Sequence, residues 1–366
     1  MALKIALLPG DGIGPEVTAE AVRILKNVGE HAGQAFVFST HAIGGAAIDA
    51  EDAGLPQATL EACLGADAVL LGAVGHPKFD GRLPSERPEA ALLALRQALG
   101  GFANLRPAIC YAPLAKRTAF QPDRVRGANL LIVRELLGGL YYGEPRGFEA
   151  SGDTAFNTLI YSRHEIDRVA RVAFDRARER RGRVASVDKA NVLETSRLWR
   201  AVVSDVAKDY PDIALEHVYV DTCAMRLATT PTSFDVMLCD NLFGDILSDQ
   251  AASIAGSLGL LPSATLGGRV DLYEPVHGSA PDIAGKGWAN PIGAIASAAM
   301  LLRFTAGMDN EAAEVDHAIE DALAAGARTR DLAGPDERVL STHEMGQAIE
   351  DALAEVRDRR HAYHAV

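Results

Sequence analysis

The chain has 366 residues, 48% of them hydrophobic and 23% charged, with a formal net charge of -13. That length exceeds what one hydrophobic core usually serves, so an ordinary globular protein of two domains is expected. The acidic balance argues against nucleic-acid binding, which calls for a basic face, and the dense basic runs Arg176 to Arg183 and Arg357 to His361 read as solvated helix ends.

Lys4 to Leu8 reads as a strand, and Pro15 then opens a helix with Val17, Ala21, Ile24, Leu25 and Val28 on one face. Asp67 to Val74 is a buried strand and Pro88 to Leu99 a helix. Arg106 stands before Pro107, which biases it towards an extended backbone. The apolar strand Asn129 to Val133 ends at Arg134. Ser162 and Glu165 form a capping-box pattern ahead of Ile166, Val169, Ala170, Ala173 and Ala177. Arg183 to Val187 is a strand leading into Asp188-Lys189-Ala190-Asn191. Leu215 to Val220 is a strand that Asp221 ends, and Phe234 to Cys239 runs directly into an acidic cluster. Short apolar runs alternating with helical patterns predict an α/β protein with a largely parallel sheet.

Cys63, Cys110, Cys223 and Cys239 are widely spaced with no CxxC pair, so reduced thiols in a soluble cytoplasmic protein are expected. The apolar stretch Ile5 to Leu8 is too short for a signal peptide, and no run approaches the ~20 residues of a membrane span. Gly10, Gly12 and Gly14 follow a strand and open a helix, as a dinucleotide fingerprint does. Their spacing, with Pro15 next, allows no GxGxxG.

The run from Asp240 to Asp249 carries the sharpest chemical signal. Phe243, Ile246 and Leu247 supply an apolar helix side, while Asp245 and Asp249, spaced i, i+4, share a face. Like charges there cost a few tenths of a kcal/mol. A hard divalent cation would compensate them; the plain alternative is a solvated acidic face. A second segment, Tyr273-Glu274-Pro275-Val276-His277-Gly278-Ser279-Ala280-Pro281-Asp282-Ile283-Ala284-Gly285-Lys286, is a Gly/Pro-punctuated polar loop suited to close approach of a ligand.

Together these segments resemble the metal-dependent decarboxylating dehydrogenases of 2-hydroxy acids, the family of isopropylmalate and isocitrate dehydrogenases. The resemblance runs from Ile5 to about Gly346. It implies a two-domain α/β fold that is not a Rossmann fold. The first domain uses both ends of the chain (1–101 and 256–366), with 102–255 inserted. It also implies NAD and Mg²⁺ or Mn²⁺ as cofactors, and a homodimer whose arm spans Gly138 to Ser162.

Residue by residue, the resemblance assigns Arg96, Arg106 and Arg134 to the substrate carboxylates, a task that suits the planar guanidinium. It gives Lys189 the role of base and Tyr141 that of the acid that protonates C3. The metal ligands it implies are Asp245 and Asp249 of one subunit and Asp221 of its partner, and Asp221 also serves the substrate. Leu92 and Leu93, with Val192 of the partner subunit, would border the substituent at C3, and Asn191 would also bind the substrate. Ile13, Glu89, Glu274, His277, Gly278, Ser279, Ala280, Pro281, Asp282, Ile283 and Asn290 would bind the dinucleotide, Asp282 reading the ribose diol. Two leucines near the clamp favour an isopropyl-bearing malate over isocitrate, whose third carboxylate would need a partner. D-malate and tartrate stay open as substrates, and a non-catalytic regulatory subunit is the reading from another class. Two positions depart from the family pattern: Asp240, which would tighten a metal or face solvent, and His76, which leaves its loop geometry open.

Overall fold

The structure is a computed structural model that describes the backbone of residues 2–364 and the side chains of residues 2–360. In chain order its elements begin β1 (Leu3–Gly10), α1 (Gly14–Ala32), β2 (Phe36–Thr40), α2 (Gly45–Glu51), α3 (Gln57–Leu64), β3 (Ala68–Ala73) and α4 (Pro88–Leu99). They continue with β4 (Ala103–Ile109), α5 (Pro122–Val125), β5 (Asn129–Glu135), β6 (Gly147–Phe148), β7 (Ala155–Phe156), α6 (Arg163–Arg178), β8 (Arg183–Asp188) and α7 (Glu194–Ala207). The remainder is β9 (Ala214–Tyr219), α8 (Val220–Thr229), β10 (Val236–Cys239), α9 (Asn241–Ala255), β11 (Pro262–Leu266), β12 (Asp271–Pro275), α10 (Ile292–Phe304), α11 (Asp309–Ala324) and α12 (Thr342–His364).

The chain divides into two compact units, one of residues 1–101, 111–117 and 255–366, the other of residues 102–110 and 118–254. In the first unit the strands lie in the order β2-β1-β3-β12-β11. The pairs β1–β2, β1–β3 and β3–β12 are parallel, and only β11–β12 is antiparallel. Its core joins Ala6, Leu8, Val69, Leu71 and Leu272 of the strands to Leu95 and Leu99 of α4. Each such leucine is worth about 1.5–3 kcal/mol when removed from water. Helix α10 is buried through Ile292–Leu302, which explains why its sequence lacks a polar face.

In the second unit the order is β4-β5-β10-β8-β9. Here β4–β5 is antiparallel and the others parallel. The predicted capping box opens α6: Ser162 accepts from the Glu165 backbone, and Glu165 returns the bond. One boundary differs from expectation. The chain turns helical at Val220, so Asp221 stands in the first turn of α8 instead of ending a strand. Alternation cannot see this change, whereas an acidic residue suits the positive end of a helix. The short pair β6–β7 is antiparallel and leaves Phe148 exposed. Among the described residues, no helix is long and apolar enough to cross a membrane.

Candidate active site

The reactive-looking groups of the second unit gather around Asp245. Arg106 on β4 and Arg134 on β5 are both buried, at 6% and 1% exposure, so neither guanidinium can rely on water for its partners. Arg106 donates through Nε to Asn104 Oδ1 at 2.6 Å and through Nη1 to Ser248 Oγ at 2.7 Å, with Asp245 Oδ1 at 3.3 Å. Arg134 donates Nε and Nη2 to Asn241 Oδ1 at 3.0 and 2.7 Å, and its Nη1 to Asp245. Asn241 is itself fixed by donating to the carbonyls of Leu136 and Gly138, both at 3.0 Å. Gly244 allows α9 to lie on this arginine, since a Cβ there would stand 2.7 Å from Arg134 Cγ.

Tyr141 completes the cluster by donating its hydroxyl to Asp245 Oδ2 at 2.6 Å. Burial, then the Asp245 carboxylate, pushes its pKa up to about 12, so the phenol keeps its proton at neutral pH. One turn on, Asp249 is exposed, and its carboxyl is pushed upward by partial loss of water and by the like charge of Asp245. A carboxylate raised by a like-charged neighbour one turn away suits a hard cation.

Asp240 neither faces solvent nor joins those two carboxylates. It is 8% exposed and accepts from the Phe243 backbone at 2.7 Å, capping α9. Burial pushes its pKa up to about 7. His76 has a similarly local role, its Nδ1 accepting from Lys78 N at 3.2 Å.

Lys189 follows β8, and its ammonium pairs with Asp221, whose carboxyl that bond holds below the usual range. The backbone around Lys189 is set by Asp188, which is 1% exposed. Asp188 accepts from Ala190 N at 2.9 Å and takes a two-pronged bond from Arg200 at 2.8 and 2.9 Å. Asn191 and Val192 beside it are exposed. Within one chain Asp221 is therefore held by Lys189, and among the described residues no three acidic, histidine or cysteine side chains converge on one point.

The first unit holds the other predicted residues. Arg96 on α4 pairs with Glu274 at 2.6 Å, both well buried. Leu92 packs partly against the core, and Leu93 is half-buried. Glu89 lies beside Gly75, where a Cβ would meet its Oε1 at 2.9 Å. The glycine-rich turn after β1 serves packing: Ile13 N donates to Ser279 O at 2.8 Å, and a Cβ on Gly12 would come within 1.9 Å of that oxygen. The turn thus supports the His277 loop by close backbone approach. Asp11 anchors the surrounding loops by accepting from Gly45, Ala46 and Gly75 at 2.7–2.8 Å.

Beyond this turn lies a cavity of about 380 Å³ lined by Ile13, Leu258, His277, Ile283, Trp288 and Asn290 among others. His277 Nδ1 contacts Gly278 O at 2.9 Å, while its buried Nε2 has no partner among the described residues. Burial lowers the pKa of this ring, favouring the neutral form. A mostly apolar slot with one unmatched ring nitrogen suits a flat heteroaromatic group. Pro281 and Ala284 are half-buried, while Asp282 presents its carboxylate to solvent and its carbonyl to Lys286 Nζ at 2.8 Å.

A family model described as isocitrate/isopropylmalate dehydrogenase matches residues 4–349. The chain belongs to this family. It is 53% identical over 354 residues to a 3-isopropylmalate dehydrogenase of Moorella thermoacetica, covering 96% of this chain and 99% of that one. A 3-isopropylmalate dehydrogenase of Salinibacter ruber is 54% identical, with 96% and 95% covered. The crystal structure of an isocitrate dehydrogenase from Methylococcus capsulatus superposes with a TM-score of 0.85 at 37% identity, covering 96% and 99%. As a member of the isocitrate/isopropylmalate dehydrogenase family, the chain is an oxidoreductase.

Several residues of this family member escaped sequence reasoning. Asn104, Asn241 and Ser248 orient the arginines, Asp188 and Arg200 set the turn of Lys189, and Trp288 and Arg330 wall the cavity, the Arg330 Cζ standing 4.1 Å from the Trp288 ring centroid. Only the Asx pattern of Asp188, two residues before Ala190, was open to detection in the sequence.

Proposed function

We propose that the chain catalyses the NAD-dependent oxidative decarboxylation of 3-isopropylmalate to 2-oxoisocaproate, a step of leucine biosynthesis, as a homodimer with shared active sites. The observation that carries this reading is the protonated Tyr141 phenol aimed at Asp245 between two buried arginines. That arrangement combines an acid, two carboxylate-binding guanidiniums and a cation-seeking carboxylate.

In this reading Arg96, Arg106 and Arg134 bind the substrate carboxylates. Lys189, acting as the neutral amine, takes the C2 hydroxyl proton and becomes the ammonium while the C2 hydrogen leaves as hydride, and NAD⁺ would supply the acceptor when bound in the His277 cavity. The C3–carboxylate bond then breaks, its electron pair passing into an enolate, and Tyr141 returns a proton to C3. Asp245 and Asp249, with Asp221 of the partner subunit, would hold Mg²⁺ or Mn²⁺, which supplies Lewis-acid stabilisation of the enolate charge. Leu92 and Leu93, with Val192 of the partner subunit, face the isopropyl group. Phe148, Ile160, Val192, Met225 and Ile246, all large apolar side chains left exposed on the second unit, support self-association.

The decisive assay follows NADH formation with 3-isopropylmalate, isocitrate, D-malate and tartrate, alongside sedimentation of the purified protein. Preference for 3-isopropylmalate in a dimer is expected. Preference for D-malate or tartrate would replace the substrate, and activity with none of the four would reject the reading.

A further inference from the structure

Behind Tyr141 and Asp245 lies a side chain whose every contact bears on their alignment. Tyr161, 7% exposed, lies near the end of the segment Gly138 to Ser162 and sits under the turn Gly138–Tyr141. Its hydroxyl oxygen accepts from the backbone N–H of Asn241 at 2.9 Å, the first residue of α9. Beside it Glu135, fully buried at 0% exposure, accepts from Leu137 N at 3.0 Å and Gly138 N at 2.8 Å and so holds the same turn. The ring is the floor of the turn: a Cβ on Gly138 would stand 2.7 Å from Tyr161 Cε1, and one on Gly139, whose φ is +72°, 2.6 Å from the hydroxyl. Trp199 fixes that ring edge-on at 5.6 Å.

One side chain therefore links two elements that the chemistry needs in register. The turn carries Tyr141, and α9 carries Asp245, one turn beyond Asn241. Asn241 meanwhile orients Arg134, so the same node reaches a third group. We propose that Tyr161 is a positioning residue: its ring underlies the Tyr141 turn while its hydroxyl holds the N-terminus of α9, and so it sets the line along which Tyr141 delivers its proton. This rests on the reading of Tyr141 as the acid.

Removing the hydroxyl leaves the Asn241 N–H without its partner while the ring remains. The turn can then shift against α9, and misplacement of about 1 Å is enough to cost up to a hundredfold. The test is a double-mutant cycle of Tyr161→Phe with Tyr141→Phe, measuring kcat, KM for both substrates and the unfolding midpoint. We expect Tyr161→Phe to lower kcat by about tenfold to a hundredfold, with KM for NAD⁺ within about twofold of wild type. In the Tyr141→Phe background the same change should alter kcat by less than about twofold, because the group it positions is gone. An unchanged kcat, or an equal fall in both backgrounds, overturns the assignment. If Tyr161→Phe does not fold, Glu135→Gln replaces it in the cycle with the same expected and overturning results. A wild-type chain inactive on all four substrates overturns the parent reading and this assignment with it. An active wild type with additive effects overturns this assignment alone.

Discussion

The cluster around Asp245 and the cavity beside His277 are built on opposite plans. In the cluster almost every polar atom already has a charged or amide partner: Arg106, Arg134, Asn104, Asn241 and Tyr141 are all committed before any ligand arrives. The cavity is mostly apolar, with His277 Nε2 unmatched and few groups to direct a ligand. A centre where charge develops gains most from donors fixed beforehand, because their ordering is complete before reaction. A slot for a flat group gains from shape and area, with polar atoms used sparingly for orientation. Damage to the first should therefore cost rate in large steps, and damage to the second should shift preference in small ones.

The hardest test of that contrast is removal of divalent cations. With 3-isopropylmalate and NAD⁺, an excess of chelator should abolish NADH formation, and added Mg²⁺ or Mn²⁺ should restore it. Full activity in chelator would leave the Asp245–Asp249 face without a metal role.

Next in size, Tyr141→Phe and Lys189→Met should each lower kcat by about 10²–10⁴-fold. The phenol change should act after hydride transfer and the lysine change on it, so a primary deuterium isotope effect at C2 should be suppressed in the first and retained in the second. Turnover near wild type in a folded variant would return that residue to a structural role.

A smaller effect is expected at the apolar wall of the first unit. Three carbons of an isopropyl group, at about 0.8 kcal/mol each, favour it over hydrogen by about 2 kcal/mol, or one to two decades in kcat/KM. Leu92→Ala with Leu93→Ala should narrow the gap between 3-isopropylmalate and D-malate by lowering efficiency with the former. Leu92 also packs on the core, so the unfolding midpoint should be followed in the same variant. On the cavity side, Asp282→Lys with Ile283→Tyr should erode a preference for NAD⁺ over NADP⁺ while leaving kcat with the better cofactor within severalfold. An unchanged cofactor ratio would remove Asp282 as the reader of the ribose.

The mildest expectation concerns stability. Asp240 titrates near 3.8 when unfolded and at about 7 when folded, so the folded chain retains a proton that the unfolded chain has released. Stability from this group is complete below about pH 4, falls as pH rises towards about 7, and is flat above it. Asp240→Asn keeps a competent helix cap and removes the titration, so the fall in unfolding midpoint between pH 5 and 8 should be shallower. Parallel curves for the two proteins would show that Asp240 ionises freely.

Much of the architecture was legible beforehand because it rests on local rules. The stripe from Val17 to Val28 specified α1, the Ser162–Glu165 pair located the start of α6, and Pro88 to Leu99 matched α4 at both ends. The acidic pair one turn apart on α9 was equally visible, since helical periodicity alone puts Asp245 and Asp249 on one face. Asp221 was misplaced by one element because strand alternation cannot register a turn into helix when the next residue is polar.

By itself, then, the sequence determined the α/β class, most element positions and, through long motifs, the family. Tertiary structure alone decided that Glu274 holds Arg96, that Asp240 is a buried cap, that Gly12 packs on Ser279, and that Tyr161 holds Asn241 from beneath the Gly138–Tyr141 turn. The physical reason is range. Periodicity and capping act over a few neighbours along the chain. Hydrogen-bond partnership and burial join residues up to 330 positions apart, and only the folded chain brings them within 3 Å.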